Sequence, residues 1–390
     1  MKRLPRSGLL LTLLLCALLT LSCGGGGRAS ANTLDVTPRA GATKEQPDTV
    51  RLTPYPIWTL AMDWPRVAYA SGKEGNTMAI HVWNLVTGAS SVVKSPHDFA
   101  VHHTAAIAIA GGRLAWVRSL QLGNTELDHW LYTAPLGGSA HLIRYRPGYA
   151  DTGCGVGGPQ IGGLVGSGKT LAVSTWTVNE DHSSSAQQLD LITPTALRTI
   201  ATGGGAIVSE SADGGHIAVL PLATQNVIPD GCTAPTPPSS VAVYSTNGTV
   251  LSTIQLGTPG PRTFGTQVAL SGRKLVVLTA AVPESGPASV SLAVYDWTTG
   301  VLLHRWPVAI KNDVGEVNLA VYGRLAAVEG PFRLRLVDLS TGKDISIAPA
   351  SGTVSPTAIG PRGLIYAVNP HNTGKLVFVP TAKLLALLKG

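Results

Sequence analysis

One short pattern recurs along this chain: an apolar strand, then Asp or Asn, an apolar residue, and Thr-Gly. It reads Ala79-Ile80-His81-Val82-Trp83-Asn84-Leu85-Val86-Thr87-Gly88, returns as Leu292-Ala293-Val294-Tyr295-Asp296-Trp297-Thr298-Thr299-Gly300, and again as Arg335-Leu336-Val337-Asp338-Leu339-Ser340-Thr341-Gly342. A second apolar run, introduced by a turn that carries Gly and a basic or polar residue in most copies, also repeats. Its seven copies lie at residues 66–70, 113–117, 170–174, 216–220, 274–279, 324–328 and 363–368. A period of roughly 40 to 50 residues built only of strands means a repeat array, because each unit must bury its faces against its neighbours.

The composition agrees. With 45 Gly, 27 Pro and only 13% charged residues, the chain suits short strands and tight turns, and its length is ample for a core. Each repeat completes with a third strand and a fourth, such as residues 140–144, 251–256 and 302–308, and the loops between second and third strands vary widely in length. The last repeat lacks a fourth strand and ends in Thr381-Ala382-Lys383-Leu384-Leu385-Ala386-Leu387-Leu388, which reads as a helix. Thr49-Val50-Arg51-Leu52-Thr53 has no other unit to join. It is therefore expected to supply the missing strand and join the two ends of the chain.

These repeats resemble the β-propeller superfamily, in particular WD40-like and TolB-like extracytoplasmic propellers of bacteria. The resemblance spans residues 49–390 and implies an all-β fold, a seven-bladed propeller of four-stranded antiparallel blades. The Gly-His and Trp-Asp signatures of true WD40 repeats are absent from most copies. Propellers host binding modules, lyases and hydrolases alike, so the fold does not name an activity.

The N-terminus speaks to location. Lys2, Arg3 and Arg6 precede an apolar run from Leu9 to Leu21, too short for a comfortable membrane span, which reads as a secretory signal over residues 1–22. Leu19-Thr20-Leu21-Ser22-Cys23 resembles the bacterial lipobox, which implies cleavage before Cys23 and a lipid on it; an ordinary signal cut nearby is the alternative. Residues 23–48 are Gly-, Ala-, Thr- and Pro-rich and read as a flexible linker spanning about 25–30 Å on average. The expected location is the cell envelope, with the membrane as one partner through the lipid. The formal charge of +7 includes the signal's three basic residues, and the mature chain carries no basic run, which argues against nucleic acid.

Several residues could carry chemistry. Gly163-Leu164-Val165-Gly166-Ser167-Gly168-Lys169-Thr170 matches a phosphate-binding loop by letter, but Thr170 opens a strand in the repeat where that mechanism needs a helix. Cys154 and Cys232 are left once Cys16 and Cys23 are assigned to the signal and lipid. They fall on connections expected at one face and read as a disulfide, contributing about 4 kcal/mol, with two free thiols as the alternative. The same face should gather His97, His102, His103, Asp181 and His182, which are metal-ligand residue types without metal-site spacing. Trp176 is a candidate ligand-face aromatic, with inter-blade packing as its alternative. The chain is thus expected to be a monomeric binding module for a protein, peptide or glycan on its long-loop face, with no cofactor, metal or catalysis inferred. An envelope hydrolase or lyase using the His and acidic residues is the alternative.

Overall fold

A computed structural model describes residues 49–73, 78–93, 102–122, 125–150, 156–179, 184–203, 207–221, 223–227, 233–236, 239–256, 263–281, 289–308, 318–330, 333–347, 353–370 and 372–389. They form a seven-bladed propeller of four-stranded antiparallel sheets. The innermost strands are Ile57–Asp63, His102–Ala110, Val156–Ser167, Ile207–Asp213, Thr263–Ser271, Asn318–Tyr322 and Thr353–Gly360, in blades 1 to 7. Each touches the next, and the seventh touches the first, so the ring is closed. Thr49–Thr53 pairs antiparallel with Gly374–Pro380 as the outer strand of blade 7, with Thr49 opposite Phe378 and Thr53 opposite Gly374. The ends of the chain are joined as the sequence predicted.

Second strands are apolar without alternation because both of their faces are covered. In blade 2, Leu114 and Trp116 pack toward blade 1 while Ala115 and Val117 pack toward blade 3. Seven such apolar clusters occupy the seven junctions between blades. The helix Thr381–Lys389 buries Leu384 and Leu388 in the cluster between blades 6 and 7.

The repeated Asx-x-x-Thr-Gly pattern is the turn from third to fourth strand. Asn84 Oδ1 accepts from the Val86 and Thr87 amides, and Asp296 and Asp338 accept from the amides two residues on, at 3.0 Å each. The Gly amide closes each turn on the Asx carbonyl at 2.8 Å. Gly88, Gly300 and Gly342 sit at φ of 72°, 73° and 73°, a region that side chains disfavour.

These turns and the first-to-second-strand turns share one face, and bonds between neighbouring blades latch the latter. Asp63 accepts the Gly111 amide at 3.1 Å, Asp213 accepts Gly272 at 2.6 Å and the Ser167 hydroxyl at 3.2 Å, and Ser271 accepts Gly323 at 2.7 Å. The opposite face carries the second-to-third-strand loops and the links between blades. Two elements there went beyond the sequence expectation. Blade 3 gains a short fifth strand, Tyr149–Ala150, and the long loop of blade 4 forms its own hairpin from Ala223–Val227 and Thr233–Thr236.

Candidate functional site

His102 and His103 open the innermost strand of blade 2 at its long-loop end, opposite Leu120 and Ser119. His97, Asp181, His182, Cys154, Cys232 and the anchor residue Cys23 lie outside the described residues. Among the described residues, no group of three or more His, Cys, Asp or Glu is placed to hold a metal.

Trp176 lies within the second strand of blade 3, which runs to Val178 and pairs Trp176 with Gln160. The facing strand bulges between Ile161 and Leu164, at Gly162-Gly163. Trp176 packs over Gly162 and against the cluster between blades 3 and 4. A methyl group at Gly162 would collide with this ring, and one at Gly163 would collide with the Glu210 carboxyl. The glycine pair thus makes room for two side chains. It also disposes of the phosphate-loop match: Gly163 faces an acid, Gly168 sits in a strand-to-strand turn, and Thr170 begins a strand.

Glu210 is buried on the innermost strand of blade 4, and the Ser174 hydroxyl of blade 3 donates to its two oxygens at 3.0 and 2.8 Å. Burial pushes its carboxyl up to about 7, against the opposing effect of the Ser174 bonds. A second buried polar link joins blades 2 and 3, where His129 Nδ1 lies 3.0 Å from Ser119 Oγ and Nε2 lies 3.2 Å from Gln160 Oε1. Ser119 is fully buried and His129 nearly so. Ser119 and His129 belong to blade 2, and the His129 contact with Gln160 ties that blade to blade 3.

Among the described residues, an accessible groove of about 500 Å³ lies between blade 1 and the ring-closing strand. Alternation along Thr49–Thr53 turns Arg51 and Thr53 inward and leaves Val50 and Leu52 exposed. Arg51 Nε donates to the Tyr69 hydroxyl at 3.0 Å, and its guanidinium carbon lies 5.6 Å from the Trp83 ring centroid. His81 stacks on Tyr69 with centroids 5.0 Å apart, and burial, then the Arg51 charge, hold its pKa below the usual histidine value. Lys73 and the half-exposed Tyr55 complete the rim. The sequence reading missed this groove, although an Arg alternating with apolar residues in the closing strand was its visible trace.

No protein-family model matches the chain, and a search of curated proteins finds no match. Solved structures do. U3-55K is 13% identical with a TM-score of 0.50, covering 85% of this chain and 98% of that one. The WD40 repeats of RRP9 are 13% identical with a TM-score of 0.51, covering 87% and 99%. YCF48 bound to D1 peptide gives 9%, 0.49, 87% and 97%. At such identity the likeness to the first two establishes the fold alone, a β-propeller.

Proposed function

We propose that this protein is a lipid-anchored, extracytoplasmic propeller that holds a protein or peptide partner on its long-loop face. The contrast between the two faces carries the reading. One is closed by short turns bonded blade to blade, whereas the other gathers the variable loops and the Arg51 groove, and loops on a rigid scaffold are where recognition concentrates. The WD40-type fold supports it, since such propellers typically serve as interaction scaffolds.

The anchor rests on Cys23 and the signal-like run before it. Thr49 lies at the short-turn end of its strand, so the linker of this reading would join the propeller away from the long-loop face.

Two experiments test the proposal. Metabolic labelling with a lipid analogue should mark the wild type and not Cys23→Ser, and Cys23→Ser should leave the membrane fraction; an unlabelled wild type sinks the anchor. A photo-crosslinking residue at Tyr55 should give a defined adduct in cells that one at Thr298, on the short-turn face, does not. Equal adducts from both positions, or none from Tyr55 or a second long-loop position at Thr177, would refute the recognition face.

A further inference from the structure

The Arg51 groove has the charge and shape of a receptor. Among the described residues that line it, the permanently charged side chains are Arg51 and Lys73, with no carboxylate. Arg51 is held at two points: its Nε donates to Tyr69 and its guanidinium carbon lies over the Trp83 ring. The two terminal nitrogens have no partner among the described residues. A guanidinium pinned this way presents its remaining fork in one orientation, which is the geometry that a planar carboxylate fits with paired bonds. Such an Arg loses less freedom on binding than an unrestrained surface Arg.

The rim decides what bears the carboxylate. Small-molecule sites enclose most of their ligand, but here Tyr55 is 47% exposed beside the cations. An aromatic rim open to solvent is covered best by the residues that flank an acidic side chain in a polypeptide. Resting on the long-loop reading above, we infer that this groove receives an Asp or Glu side chain from an extended segment of a partner protein, its carboxylate forked by Arg51 and neutralised by Lys73, a flanking apolar residue lying on Tyr55.

Calorimetry on the purified full chain tests this with acetyl-Gly-Leu-Glu-Tyr-Glu-Gly-amide, its Gln-for-Glu twin, and glutarate as a free carboxylate. The acidic peptide should bind roughly 10-fold more tightly than its twin, and Lys73→Glu should weaken it by a similar factor without disturbing the closing strand. Arg51→Lys, which keeps charge but not the fork, should also weaken it. Equal binding of the twins, no heat from either peptide up to about 1 mM, or indifference to Lys73→Glu would overturn the inference. Glutarate binding as tightly as the peptide would also overturn it, in favour of a small-molecule site. If the cellular adduct at Thr177 persists in the double variant Arg51→Lys, Lys73→Glu while calorimetry fails, the groove falls and the recognition face stands. If the adducts are absent but the peptide binds selectively, the reverse holds.

Discussion

Replacing Glu210 by Gln should change the sign of its effect on stability with pH. The folded carboxyl titrates near 7 and its ordinary value is 4.5. An acid whose pKa is raised by folding contributes most at low pH, and that contribution is lost as pH climbs from the unfolded value through the folded one. Integrating between the two values, the wild type gives up about 0.4 kcal/mol by pH 4.5, about 2 by pH 6 and about 3 by pH 8, where the loss levels off. Gln has nearly the same shape and no charge to desolvate. Its amide oxygen can accept from Ser174, but its NH2 group is left needing an acceptor, at a cost of about 1 kcal/mol. Glu210→Gln should therefore be about 0.6 kcal/mol less stable than wild type at pH 4.5 and about 2.4 more stable at pH 8. For roughly 340 folded residues the unfolding entropy is about 0.7 kcal/mol/K, so the full 3 kcal/mol swing appears as about 4 °C in the difference between melting temperatures. Denaturant titrations of both proteins at several pH values measure it, and every other titrating group cancels in the comparison. A pH-independent difference would refute the claim that this carboxyl is desolvated.

Other substitutions probe the same scaffold. Gly163→Ala pushes a methyl into the Glu210 carboxyl and should cost about 2–3 kcal/mol in denaturant titration, with Glu210→Ala partly rescuing it. Asp213→Ala removes the acceptor shared by Gly272 and Ser167 and should cost about 1–3 kcal/mol while leaving peptide binding intact. His81, neutral at pH 7 because burial and Arg51 both oppose its charge, contributes stability that is present above about pH 6.5 and lost as pH falls below it; His81→Gln should flatten that decline in melting temperature. A bound carboxylate beside Arg51 and Lys73 would ease protonation of His81, so the acidic peptide should bind more tightly at pH 5.5 than at pH 7.5, and that gain should vanish in His81→Gln.

The architecture was legible because it is repetitive. A second strand covered on both faces must be apolar throughout, as Val67-Ala68-Tyr69-Ala70 is, and an Asx-x-x-Thr-Gly turn advertises itself by the atoms that close it. Seven copies of the strand and three of the turn leave little freedom in topology. Ring closure followed by counting, since one blade lacked a strand and one strand lacked a blade. Blade 4's extra hairpin was not legible, because its short strands carry no repeat to align with.

Function was less visible because it lives where the repeats differ. Glu210 has no counterpart in sequence that marks it, and its environment comes from Ser174 and Gly163 of the neighbouring blade, 36 and 47 positions earlier in the chain. Arg51 lies only 18 positions before Tyr69, yet the two meet because the closing strand reaches blade 1 only after the ring has come round to blade 7. A reading along the chain sees an Arg in a strand and a His in another; the ring sets them around one groove. The closing strand therefore has two duties. It completes the sheet through its backbone, and it presents a cation through its side chain. These are separable: the antiparallel ladder to Gly374–Pro380 is made by main-chain atoms, so Arg51→Lys should keep the ring closed and lose the fork.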